Sequence, residues 1–282
     1  MTHDPQLARL EEVLGALGGC LVAYSGGVDS TLLLAVARRV LGDRVAAVTV
    51  RTLFHGSSET EEARRRAATL GAAHEIIEVD LQAHPEILAN PPDRCYHCKR
   101  LLFTALRARA DALGLPALVD ATNADDLRER RPGIRALREL GVTSPLAAAN
   151  LHKAEVRALT RQLGIEGASR PSSPCLATRV PYGTPITAEC LRRVSGAEYI
   201  LRTMGFADTR VRDYGDLARI ELQPDDLERA AGRTLRGSIL DPLRDLGYRY
   251  ITLDLAGYRV GSMDEVLSPE QRQTPENGKR AG

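Results

Sequence analysis

The chain has 282 residues, with 38 Lys and Arg against 37 Asp and Glu, five Cys and no Trp. That length buries roughly three quarters of the surface an unfolded chain exposes, so one large domain or two unequal ones are both open. A net charge of +1 argues against a general electrostatic grip on nucleic acid or anionic membrane and points to small-molecule partners.

The N-terminus, MTHDPQLARLEEVLGAL, is charged and amphipathic rather than a signal peptide. No apolar run approaches the ~20 residues needed to span a bilayer, which predicts a cytoplasmic protein without a membrane partner. The first candidate strand, 20–24, runs into Ser25-Gly26-Gly27-Val28-Asp29-Ser30 and then a helical pattern at 30–41. Glycines between a strand and a helix leave bare backbone N–H groups beside a helix N-terminus, a combination that attracts phosphate. The loop lacks the lysine of GxxxxGK[ST], so nothing in it is built to grip a γ-phosphate as conventional P-loop NTPases do. A bare GG turn joining strand to helix is the alternative.

Further strands at 45–50, 75–79 and 117–120 alternate with helical patterns at 59–70 and 99–113, which predicts an α/β domain with a parallel sheet covered on both faces. Arg51 at the end of the second strand, and Asn123 and Asp125 after the fourth, then share the carboxyl edge with the loop and face a nucleotide. Asp125 and Asp126 read equally well as capping or first-turn residues before LRERR.

Cys95-Tyr96-His97-Cys98, expected in a loop, is a CxxC that fits a zinc half-site, a redox pair or two ligands of an iron–sulfur cluster. Cys20 falls in the first strand and Cys190 inside a helical pattern, which leaves Cys175 as the remaining thiol. Three ligands is then the natural count, and three thiolates on a [4Fe–4S] cluster leave one iron open to a sulfide. Unrelated buried thiols are the alternative.

A helix at 152–163 precedes the turn-rich EGASRPSSPCLATRVPYGTP, and a domain boundary is placed near 180. Residues 181–267 read as helix (187–204), strands (207–213, 217–222), helices (225–230, 237–246) and a strand (249–254), a small α+β domain with a mixed or antiparallel sheet. The polar tail 268–282 is expected to be disordered. Lys99, Arg179, Arg210 and Arg212 supply cations for an anionic substrate. Arg210 and Arg212, two apart on a strand, project from one face as arms of a clamp would. Solvated surface arginine is the alternative at each position.

SGGVDS resembles the SGGxDS loop of the N-type ATP pyrophosphatases, the PP-loop superfamily. The resemblance implies that Ser25, Gly26, Gly27 and Ser30, with Val28 between them, cradle the pyrophosphate of ATP while Asp29 helps hold Mg²⁺. Together with NPPDRCYHCK, DATNADD followed by RPG, and above all PSSPCLATRVPYG, the chain resembles the LarE family nearly end to end. These are ATP-dependent sulfur transferases that mature the nickel-pincer cofactor of lactate racemase. The resemblance implies adenylylation of a carboxylate on a pyridinium-3,5-dicarboxylate mononucleotide with loss of pyrophosphate, then displacement of AMP by sulfur to give a thiocarboxylate.

Family members with only the cysteine of PCLA give up its own sulfur and end as dehydroalanine. Those with an added CxxC are thought to assemble a cluster that passes on a bound sulfide. Cys175 matches the donor position and Cys95 and Cys98 the added pair, so the implied cofactors are ATP, Mg²⁺ and a [4Fe–4S] cluster held by these three. A sulfide source, a nickel-insertion partner and a homo-oligomer are implied as well. Ala121 and Thr178 stand where glycine and serine are commoner. A tRNA thiolase of the PP-loop and iron–sulfur type is the rival reading, and calls for a strongly basic face that net charge +1 does not offer. An amidotransferase-coupled synthetase would need no cysteines, and a non-enzymatic binding module would leave Asp29 without a purpose.

Overall fold

The computed structural model describes residues 4–55, 57–128, 132–165, 175–259 and 261–269. They group into one unit on Met1–Asp80 and Asp93–Ser173 and another on Leu81–Pro92 and Pro174–Arg272. Sequence pattern places a single break near 180; the excursion 81–92 groups with the second unit.

In the first unit, helix α1 (Pro5–Gly15) starts where the Asp4 carboxylate accepts from the N–H groups of Gln6 and Leu7 and Pro5 fixes the first turn. Then follow β1 (Cys20–Ala23), α2 (Val28–Leu41), β2 (Val45–Arg51), α3 (Ser57–Thr69) and β3 (Ala73–Glu78). After the short α4 (Pro85–Leu88), which belongs to the second unit, come α5 (Arg94–Ala112), β4 (Ala117–Val119), α6 (Pro132–Glu139), α7 (Pro145–Ala148) and α8 (Lys153–Gln162).

The four strands form a parallel sheet in the order β3-β2-β1-β4. Alternation along β1 sends Val22 to one face, with Leu10, Leu33, Val156 and Leu159, and Leu21 to the other, with Phe103, Leu106, Leu118 and Leu137. Both faces are covered, so the strand is apolar throughout. The strand order reverses at β1, whose neighbours are β2 and β4, and in doubly wound sheets the ligand crevice opens at the carboxyl end of that strand.

The second unit has a three-stranded sheet ordered β5 (Arg210–Tyr214), β6 (Leu217–Glu221), β7 (Tyr250–Leu253), its first pair antiparallel and its second parallel. Helices α9 (Ala188–Thr203), α10 (Leu227–Ala231) and α11 (Arg233–Asp245) pack on one face, where Ala197, Leu201, Val211, Ile220 and Leu243 are fully or nearly fully buried. Asn90, fully buried and at φ 58°, ties the 81–92 excursion into this unit. Its amide donates to the carbonyls of Val180 (3.2 Å) and Pro181 (2.8 Å), and its own carbonyl accepts from Gly183 N–H at 2.8 Å. Among the described residues no helix is long and apolar enough to cross a membrane.

Candidate active site

The strand-to-helix joint is a glycine turn that leads into the N-terminus of α2. Gly27 caps α2, and Gly26 before it sits at φ 73°, a region open to glycine at no steric cost. A Cβ on Gly26 would come within 2.9 Å of Ala63 on α3, so glycine is required twice over. The hydroxyls of Ser25 and Ser30 lie 3.0 Å apart, Ser30 donates to the Gly27 carbonyl at 3.1 Å, and Thr31 donates to the same carbonyl at 2.7 Å. Ser25 and Gly27 are exposed while Ser30 is buried, so the loop is fastened from the helix side and open on the other. Asp29 stands in the first turn of α2, half-buried.

Along the carboxyl edge, Arg51 is exposed and ion-paired with Glu78, its register partner on β3. Asp120, directly after β4, is almost fully buried, accepting from Thr122 and Ser144 at 2.5 Å each, with Lys99 Nζ at 3.8 Å. Asn123 is fully buried; its side-chain oxygen accepts from Asp126 N–H, and the Asp126 carboxylate accepts from Asn123 N–H. Its amide nitrogen finds no hydrogen-bond partner among the described residues. Asp125 accepts from Lys153 N–H (2.8 Å) and lies 2.7 Å from His152 Nδ1, contacts that hold its carboxyl below the usual carboxylate range, the histidine first and the backbone N–H second. Asp125 thus binds the first backbone N–H of α8, 28 positions downstream.

The CxxC lies on the first turn of α5 and not in a loop. Asp93, directly after Pro91-Pro92, occupies the N-cap, its carbonyl accepting from Tyr96 N–H at 2.8 Å, so the helix starts at Arg94. Cys95 and Cys98 share that turn, the first exposed and the second half-buried. His97 Nε2 lies 3.2 Å from the Asp93 carboxylate.

In the second unit Cys175 caps a 3-10 turn, Leu176–Arg179, and is half-buried. Its carbonyl accepts from Thr178 N–H (3.0 Å), the Thr178 hydroxyl (2.8 Å) and Arg179 (3.4 Å). Threonine at 178 keeps the hydroxyl that serine would provide. Arg179 is buried to 2% exposure and chelates Glu198, also 2% exposed, through Nε (2.7 Å) and Nη2 (3.1 Å). Arg212 chelates Glu221 at 3.0 and 2.6 Å and donates to the Thr178 carbonyl at 2.8 Å and the Ser262 hydroxyl at 3.0 Å. Two guanidinium groups therefore hold Thr178, and through it the turn that Cys175 opens.

Arg210 shares the Arg212 face of β5, donates to the Thr209 carbonyl at 2.8 Å and lies 5.0 Å from the Tyr258 ring centroid. Burial lowers its proton affinity, and the charges of Arg179 and Arg212 add to the effect. The three arginines are buried, not solvated, with partners that pattern reading did not name: Glu198 and Glu221. Removing one member of a buried, chelated ion pair typically costs about 3–5 kcal/mol because the other charge is left without compensation. Glu198→Ala should lower the unfolding free energy of the second unit by that amount, read as an earlier urea midpoint; a midpoint like that of the unsubstituted protein would contradict this.

Among the described residues no group of three or more His, Cys, Asp or Glu is gathered to hold a metal ion. Residues 166–174 and 270–282 lie outside the described residues, and with them the start of PSSPCLATRVPYG and nearly all of the tail.

Residues 19–112, from β1 to the end of α5, match the asparagine synthase family. An uncharacterized protein of Synechocystis sp. is 42% identical, covering 94% of this chain and 99% of its own length. The pyridinium-3,5-bisthiocarboxylic acid mononucleotide synthase of Lactiplantibacillus plantarum is 37% identical over 95% of this chain and 96% of its own. An uncharacterized protein of Methanocaldococcus jannaschii is 30% identical over 85% and 90%. The phosphate loop, the parallel sheet that presents it and an end-to-end match of this strength agree: the chain belongs to the LarE family, ATP-dependent sulfur transferases of the PP-loop superfamily.

Proposed function

We propose that the chain converts the carboxylates of pyridinium-3,5-dicarboxylate mononucleotide into thiocarboxylates. The observation that carries this is the 37% identity to the L. plantarum synthase over 95% of the chain, which extends through both units. In the first half-reaction a ring carboxylate oxygen attacks the α-phosphorus of ATP; the bond to the β,γ-pyrophosphate breaks and an acyl adenylate forms. The loop at 25–30 holds the departing pyrophosphate, and Asp29, a hard oxygen donor, would hold Mg²⁺, which when bound would offset the charge of that leaving group. Lys99, Arg51, Asn123 and Asp125 line the edge on which the nucleotide lies, Asp125 by fixing the start of α8 and Asn123 with its buried amide.

In the second half-reaction a sulfur nucleophile attacks the acyl carbon and AMP leaves. Cys95, Cys98 and Cys175 would hold a [4Fe–4S] cluster, which when bound supplies sulfide; two thiols on one exposed helical turn suit such a ligand pair. Arg210 and Arg212 serve the precursor's phosphate. A guanidinium whose charge is disfavoured first by burial and then by neighbouring cations gains from an incoming anion, and Arg212 stiffens the Cys175 turn at the same time.

Incubation with ATP, Mg²⁺ and the mononucleotide should release pyrophosphate and AMP and exchange oxygen for sulfur in the precursor, read by mass spectrometry. Arg210→Met should weaken precursor binding at least about tenfold, within the ~2–5 kcal/mol that losing a buried charge partner costs, and leave ATP binding unchanged. Pyrophosphate release with a transfer RNA and none with the mononucleotide would replace this reading by the tRNA thiolase.

A further inference from the structure

We propose that Arg66, on α3, is a positioning residue for the phosphate loop. The proposal rests on reading the loop as the holder of ATP's pyrophosphate. Three consecutive arginines, 64 to 66, follow Glu61-Glu62-Ala63. Only Arg66 of the three is buried, to 7% exposure. Its Nη1 donates to the Gly26 carbonyl at 2.6 Å and its Nη2 to Glu62 at 2.9 Å, while its buried Nε finds no hydrogen-bond partner among the described residues.

The Gly26 carbonyl and the Gly27 N–H belong to one peptide unit, and in a trans peptide they point in opposite directions. A cation that holds the carbonyl toward α3 therefore turns the N–H away from α3. That N–H donates to the Ser25 hydroxyl oxygen at 3.3 Å on the exposed side of the loop, so an incoming anion would take over this donor from Ser25. Ala63, one turn earlier on α3, blocks any Cβ at Gly26. Helix α3 thus fixes both the position of Gly26 and the rotation of the peptide that follows it. The guanidinium also withdraws electron density from that carbonyl, which strengthens the N–H at the other end as a donor.

This loop carries no lysine, so its affinity for pyrophosphate depends on backbone donors and the α2 N-terminus. Arg66 supplies the fixed positive charge behind them and holds one donor in place before ligand arrives, which lowers the cost of binding.

The test is equilibrium binding of Mg·ATP, Mg·pyrophosphate and AMP to the intact chain and to Arg66→Met and Arg66→Lys. Arg66→Met should weaken ATP and pyrophosphate at least tenfold and leave AMP, which lacks the β- and γ-phosphates, within twofold. Arg66→Lys, which keeps the charge, should recover part of the loss. Equal losses for ATP and AMP, or no loss for either, would overturn the positioning role. If Arg66→Met does not fold, the ratio of ATP to AMP affinity in Arg66→Lys decides, an unchanged ratio overturning the role. An unsubstituted chain that binds AMP as tightly as ATP, and no pyrophosphate, would overturn the reading of the loop itself.

Discussion

Serine at Cys95, Cys98 or Cys175 should abolish both the brown chromophore of the anaerobically purified protein and multiple turnover, whereas serine at Cys20 or Cys190 should spare both. The structure separates the two groups. Cys20 is fully buried in β1, and burial pushes its thiol up to about 12, so it stays protonated and inert. Cys190 is buried in the first turn of α9, where its Sγ lies 3.3 Å from Thr187 N–H and 3.1 Å from the Thr187 carbonyl; serine makes the same contacts. Cys95 and Cys98 have access to solvent, and Cys175 stands half-buried on a turn held by Arg179 and Arg212. Iron and acid-labile sulfide per chain give the first readout and turnover the second. If only Cys175 proves essential, and a single turnover leaves the chain lighter by one sulfur and two hydrogens, Cys175 gives up its own sulfur and the cluster reading is wrong.

The parts of this protein legible in its sequence are those set by local pattern. A four-residue apolar run followed by SGG and a helical repeat can do little other than place a glycine turn at the end of a buried strand, and β1, the loop and α2 are found there. The alternation of strands and helices likewise implies the parallel sheet. What pattern reading misses is tertiary. Arg64, Arg65 and Arg66 look like one solvated charge run, and only packing against the loop distinguishes the third. Glu198 and Glu221 lie 19 and 9 positions from the arginines they neutralise.

A signal for the second pair was present. Gly215 turns the β5–β6 hairpin at φ 75°, which sets Arg212 opposite Arg219 and brings Glu221, two residues on, to the same face. For the helical CxxC the signal was Pro-Pro-Asp, a helix-start sequence read as a loop. The 81–92 excursion left no such trace, because its attachment is tertiary: a left-handed Asn90 bonds to residues 90 and 91 positions away, and Ile186 N–H donates to the Leu88 carbonyl.

Asp29→Ala should cut mononucleotide-dependent pyrophosphate release by about 10²–10³-fold, the range seen when one preorganised electrostatic contact to a developing charge is removed. Between Ser25 and Ser30 Asp29 is the one charged side chain. A carboxylate in the first turn of α2 competes with a phosphate for the same helix N-terminus and repels it, so the two coexist only with a cation between them. Under the proposed function Asp29 would hold Mg²⁺ for this purpose, and the ion would offset the charge that builds on pyrophosphate as it leaves. Asp29→Asn, which keeps the shape and removes the charge, should lose nearly as much as Asp29→Ala and should demand more Mg²⁺ for half-maximal rate. Neither should unfold the protein, since a carboxylate in a first turn contributes only about 0.3–1 kcal/mol through the helix dipole. Full pyrophosphate release by Asp29→Ala at ordinary Mg²⁺ would remove Asp29 from the chemistry and leave the backbone of the loop, with Arg66 behind it, to hold the leaving group alone.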